Sequence, residues 1–213
     1  MSDRFALRTE LLVRSVSALA RGVAGAVLLL AAALSLAACG STPLPTYNLS
    51  APSGFTAGGS GNGQLVVVAP TALAVLNTDK IMVEPGAGQV AYLADAQWSD
   101  NLPALLHART IQAFENASKL RRVARPGDGV NADYTLVTDI RTFALRITDQ
   151  GPVAVVEVSA KLIGTQSGRI LAAQVFRAAV PAASSAGANA TAALDQAQEQ
   201  VLVQMVRWAS AKF

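Results

Sequence analysis

Three long alternating segments between Asp133 and Val180 constrain this chain more than any other feature. In the middle one, Ala154, Val156, Val158, Ala160 and Leu162 share one parity, and Glu157, Ser159 and Lys161 take the other. Strand side chains alternate between faces, so the pattern predicts an antiparallel sheet with one face on a core and one in water. The first segment changes phase: Tyr134, Leu136 and Ile140 fall on one parity, Phe143, Leu145 and Ile147 on the other. One extra residue near Arg141 or Thr142 would return both sets to the core, which predicts a β-bulge there. Gln150-Gly151-Pro152 and residues 165–168 supply the turns, and 169–180 the third strand.

Two helical patterns accompany the strands. Ser99-Asp100-Asn101 offers N-caps, Pro103 suits a first turn, and Leu102, Leu105, Leu106, Ala113, Phe114 and Ala117 recur at helical spacing, predicting a helix from 102 to about 118. Leu194, Ala197, Val201, Met205 and Trp208 make the stripe of a second helix over about 190–211. Upstream, 65–69 reads as a strand ended by Pro70, and 81–84 and 89–93 as a hairpin around Pro85-Gly86-Ala87-Gly88. The expected class is α+β: two layers, a mainly antiparallel sheet covered on one face by two helices.

The N-terminus has the basic, apolar, small-residue order of a secretory signal. Arg4, Arg8, Arg14 and Arg21 precede an apolar run from Gly22 to Ala38 broken only by Ser35. It closes on Leu36-Ala37-Ala38-Cys39, the chain's single cysteine. The run falls a little short of the about 20 residues a membrane helix needs, so cleavage between Ala38 and Cys39 with lipidation of Cys39 is the better reading. Residues 39–63, rich in Gly, Ser, Thr and Pro, then read as a flexible tether with a short strand near 47–49, and 64–213 as the folded domain. The signal holds four of the 17 basic and two of the 14 acidic residues, which leaves 13 against 12 and a net charge of +1. That balance argues against nucleic acid as a partner, since phosphate neutralisation needs a basic face. Arg121, Arg122 and Arg125 form the one basic cluster, expected to be a solvated helix exit. With Cys39 acylated no thiol is left for a disulfide, and the acyl chains attach the domain to the membrane without spanning it.

Catalytic constellations are not visible. His107, the only histidine, lies mid-helix with no second histidine or free cysteine, which points away from zinc and toward a structural role. No serine stands in a nucleophile elbow, and Gly127-Asp128-Gly129 after Pro126 suits a tight turn better than a phosphate cradle. Asp133, Asp139, Asp149 and Glu157 follow the solvent face and turns of strands instead of forming a carboxylate pair. The expectation is a protein that is not an enzyme and has no metal or cofactor.

The run Leu76-Asn77-Thr78-Asp79-Lys80-Ile81-Met82-Val83, then Tyr92 and Gln97-Trp98-Ser99-Asp100-Asn101-Leu102-Pro103, resembles the ABC-type transport auxiliary lipoprotein family. Asp133-Tyr134 at the head of a long strand and the closing helix with Trp208 are similar to the same family. The resemblance implies a non-enzymatic lipoprotein of a lipid transport system, working beside a mammalian-cell-entry type substrate-binding protein. The chain has no P-loop and is not the ATPase. Leu76, Asp79, Lys80, Tyr92 and Trp98 are the expected partner-binding residues, with packing of Trp98 under the first helix as the structural alternative. A lipid held between helix and sheet, where Ala154, Ala160, Ala172 and Ala173 could leave room, is a second mechanism. Gly40 after the cysteine resembles the sorting rule for the outer membrane, the expected location. A homo-oligomer would suit a tubular partner, though no residue demands one. The competing class is an outer-membrane lipoprotein that activates a cell-wall synthase or assists assembly of an envelope complex.

Overall fold

The computed structural model describes residues 43–59, 63–117 and 122–212, and the signal segment and Cys39 lie outside them. The folded unit is Leu44–Phe213. It follows the α+β expectation.

Strand β7, Tyr134–Thr148, is the spine of a nine-stranded sheet. One of its edges pairs antiparallel along its whole length with β8, Gly151–Gly164, and β8 pairs in the same sense with β9, Arg169–Pro181. Register shifts between Ile140 and Thr142, leaving Arg141 unpaired, so the bulge lies where the change of phase places it. Ile140 and Phe143 are consequently both buried in one core despite opposite parity.

The other edge of β7 is parallel, which the strand patterns do not predict. Three short strands dock on it in succession: β2, Leu65–Val67; β3, Thr71–Ala72; and β4, Lys80–Glu84. Hairpin residues 85–90 return β4 to β5, Ala91–Trp98, with Gly88 at φ 73°, a conformation that costs glycine little. Edge strands β1, Thr46–Tyr47, and β6, Val123–Ala124, pair parallel with β5 and β2.

Both helices cover one face. Helix α1, Leu102–Ala117, packs on β2 and β6; helix α2, Gly187–Ser210, packs on β8, β9 and β5; and the two helices touch. The inward set Ala154, Val156, Val158, Ala160 and Leu162 is fully buried against Leu194, Ala197, Val201 and Met205 of α2 in one core. Those alanines admit close packing of α2, and Trp208 meets Phe176 edge-on at 5.4 Å.

Helix α2 begins without a side-chain cap of its own, and Asp95 of β5 supplies one, its carboxylate accepting the Gly187 N–H at 2.8 Å. The approach is so close that a Cβ on Gly187 would stand 2.5 Å from Ala96 Cβ and 3.1 Å from the Asp95 carbonyl oxygen. A Gly187→Ala substitution, neutral or better in most helix interiors, is therefore expected to destabilise the domain by about 1–3 kcal/mol. Urea denaturation followed by circular dichroism checks it; an unchanged midpoint would show that α2 can retreat from β5 without cost.

The segment expected to be a tether is a packed strap over part of its length. From Asn48 to Ala57 it crosses the groove between the helices. Leu49, Pro52 and Ala57 are buried, and Ala57 N–H donates to the Ala117 carbonyl oxygen at 3.0 Å. The flexible tether expected over 39–63 is thus corrected for 48–57, which packs on the helices, and the compact unit is Leu44–Phe213.

Candidate docking surface

Residues 73–77 connect β3 to the approach of β4 as a tight turn, in which the N–H groups of Leu76 and Asn77 both donate to the Leu73 carbonyl oxygen, at 2.9 and 3.1 Å. The turn sends Leu76 into the core and leaves Leu73 71% exposed. Tyr92, opposite Met82 on the neighbouring strand, is 39% exposed and donates its hydroxyl to the Val75 carbonyl oxygen at 3.1 Å. Lys80 Nζ stands 5.5 Å from the centroid of the Tyr92 ring, within cation–π range. Leu73, Val75, Lys80 and Tyr92 thus form one surface, with apolar area, a cation and an aromatic ring whose hydroxyl is already engaged. Tyrosine so held has little rotamer freedom left to lose on binding.

The structure divides the five expected contact residues. Lys80 and Tyr92 lie on this surface, and Asp79 sits at its base, its side chain accepting from Thr78 Oγ1 at 3.2 Å and its carbonyl oxygen from Trp98 N–H at 2.7 Å. Leu76 and Trp98 are buried, which corrects their assignment to a contact surface. Trp98 is 2% exposed and meets Phe143 edge-on at 5.9 Å, so its role is packing. Leu73 was not among the expected residues; the short period between Pro70 and Lys80 gives no sign of which leucine the turn will expose.

A second surface surrounds the strap. Arg109 of α1 donates from Nε to the Leu49 carbonyl oxygen and from Nη2 to Asn48 Oδ1 at 2.8 Å. Asp195 of α2 accepts the Ser50 N–H at 2.7 Å, and Asn116 donates to the Pro52 carbonyl oxygen at 3.2 Å. Beside the strap lies a polar groove of about 550 Å³ lined by Pro52, Ser53, Glu199, Gln200, Val203 and Arg207. Burial, and secondarily the Asp195 charge, raise the Glu199 carboxyl above its ordinary value.

Five of the titratable residues singled out from sequence make contacts that tie elements or turns together. His107 Nε2 is 2.8 Å from the Val67 carbonyl oxygen, joining α1 to β2. Asp133 accepts the Gln64 N–H at 2.8 Å, Asp139 accepts from Thr71 Oγ1 at 2.7 Å, and Glu157 lies 3.9 and 3.7 Å from Arg141 and Arg177. Asp128 closes a turn on the Arg125 N–H at 2.7 Å. Among the described residues, no group of three or more His, Cys, Asp or Glu side chains is placed to hold a metal ion.

A sheet covered on one face by two helices, with a strap between them and an aromatic surface on β5, defines the architecture of an α+β two-layer domain. The chain belongs to the family of ABC-type transport auxiliary lipoprotein components, which matches it over residues 47–206. It is 31% identical over 165 residues to an uncharacterized protein of Bradyrhizobium diazoefficiens, covering 76% of this chain but 44% of that protein, so it spans under half of that relative's length. Its fold is similar to the crystal structure of a Xanthomonas campestris protein, with a TM-score of 0.72, 29% identity, and coverage of 78% of this chain and 94% of the other. A further crystal structure, of an uncharacterized protein 15% identical, shares the fold at a TM-score of 0.62 over 79% of this chain and all of the other.

Proposed function

We propose that this chain is a non-enzymatic lipoprotein, acylated on Cys39 and held at the outer membrane, that docks the mammalian-cell-entry type substrate-binding protein of an ABC lipid transporter. Family membership supports the transport and lipoprotein parts of this reading. The observation that carries the docking part is the exposed surface of Leu73 and Tyr92 beside Lys80. Large apolar side chains around an anchored aromatic ring, with one cation at the edge, have the composition of an interface centre.

Photo-crosslinking in intact cells tests the reading. A photoreactive amino acid at Leu73 or Tyr92 is expected to capture a mammalian-cell-entry domain protein, while one at Gln174 on the distant β9 is not. A double substitution Leu73→Asp, Tyr92→Asp should lose co-purification of that partner by more than tenfold, each exchange removing on the order of 1–2 kcal/mol of contact. Capture of cell-wall synthases alone would replace the transport reading with the synthase-activating one.

A further inference from the structure

One end of the domain has connections poor in charge, and the two charged side chains that line its cleft, Glu84 and Arg146, pair with each other at 2.5 Å. It is built from three connections, residues 85–90, 148–152 and 181–189, which together carry a single formal charge, at Asp149. They adjoin in space. A cleft of about 300 Å³ separates the 86–88 tip from Arg146, Ile147 and Thr148; Ala182 N–H donates to the Pro152 carbonyl oxygen at 2.9 Å; and Gly187 is held by Asp95 of β5. Val90 is 50% exposed and Ile147 39% exposed at this end. Ile147 keeps the parity of Phe143 and Leu145 yet stays in solvent, so the core pattern continues past the core. At the opposite end, the 122–133 connection alone holds Arg122, Arg125, Asp128 and Asp133.

The entering chain points to the same end. Strand β1 runs parallel to β5, and Gln97 N–H donates to the Pro45 carbonyl oxygen at 3.1 Å, so the backbone enters β1 from the hairpin side. By continuation of that register Leu44 is level with Asp95. Leu44 is five residue steps from Cys39, an extended reach of about 17 Å. The β4–β5 register shift puts Gln97 opposite Lys80 and Tyr92 opposite Met82, so this stretch of β5 advances by only two residues of β4 and Asp95 lies within that reach of the hairpin. A lipidated Cys39 can therefore lie at the level of the hairpin.

We infer that this end, with Val90 and Ile147 at its tips, rests on the lipid bilayer into which Cys39 is anchored. The inference takes the acylation of Cys39 from the reading above. The chemistry is that of a shallow apolar contact: valine and isoleucine leave water favourably, and the Glu84–Arg146 pair and Asp149 can keep their hydration among the polar headgroups. Two such side chains would bind lipid weakly from solution. A tether of five residue steps keeps them at high effective concentration beside the membrane, which makes a weak contact persistent.

The full chain, produced in cells that process it, provides the test. A photoreactive amino acid is placed at Val90, at Ile147 and, at the far end, at Gln166. After irradiation of membranes, mass spectrometry reads phospholipid adducts at these positions and the acyl groups on the Cys39 peptide in one digest. Lipid adducts at Val90 and Ile147 several-fold above those at Gln166 are expected. Equal yields at all three sites with Cys39 acylated would overturn the membrane contact and leave the anchor intact. Protein adducts in place of lipid at Val90 and Ile147 would overturn it in favour of a protein covering this end. A Cys39 peptide without acyl groups would remove the anchor and overturn both readings together.

Discussion

Replacing Trp98 with alanine is expected to cost about 3–5 kcal/mol of folding stability, the range for truncating a large buried aromatic. The indole lies at a junction. Its residue closes β5, pairs with Tyr47 of β1 and precedes the 99–101 turn into α1, while its ring packs edge-on against Phe143 of β7. Removing the ring opens a cavity walled by the sheet, and backbone bonds such as Trp98 N–H to the Asp79 carbonyl oxygen hold that wall in place. Little relaxation is therefore available to offset the lost contacts. Guanidinium denaturation measures the loss, and Trp98→Phe should recover most of it by keeping an aromatic edge on Phe143. A cost under about 1 kcal/mol for Trp98→Ala would mean that the site collapses around the smaller side chain. The same number bears on function: a partner lost in Trp98→Ala reports an unfolded domain, whereas Leu73 and Tyr92 can be altered with the core intact.

The regular part of the fold is legible because its information is local. Alternation in β8, the phase break at Arg141 in β7 and the helical stripe of α2 each depend on periodicity within one element, and one buried face enforces it. The parallel edge of β7 has no such signature. Leu65–Val67, Thr71–Ala72 and Met82–Glu84 dock on it through backbone pairing that any short apolar run could make, and Pro70 conceals their continuity. Within the docking surface, Tyr92 and Lys80 are recoverable from sequence, but size and hydrophobicity do not separate Leu73 from Leu76. Tertiary burial does, through a single turn. Composition also misreads the strap, since glycine, serine and proline suit a linker and equally suit a narrow groove between helices. One signal was available: Arg109 and Asn116 are seven residues apart on α1, hence on one face, and both bond the strap.

The strap gives Arg109→Ala its expected effect, a loss of about 1.5–3 kcal/mol, the contribution of a hydrogen bond from a charged donor, set by the part-buried bond to the Leu49 carbonyl oxygen, while the exposed bond to Asn48 adds little. The exposed bond from Nη1 to Gln112 adds little, because that amide regains water when the guanidinium is gone. Asp195, Asn116 and Ala117 still bond the strap, so the core should persist while 48–57 opens locally. Hydrogen exchange at Ser50 and Ala57 is the direct readout, with about tenfold faster exchange for each ~1.4 kcal/mol lost. Unchanged exchange at Ser50 would show that Asp195 alone secures the strap. The effect should stop at the strap: β1 stays paired with β5 through the Gln97 N–H to the Pro45 carbonyl oxygen and the Ser99 N–H to the Tyr47 carbonyl oxygen, so the free chain after Cys39 keeps its length and lipid adducts at Val90 are expected unchanged in Arg109→Ala.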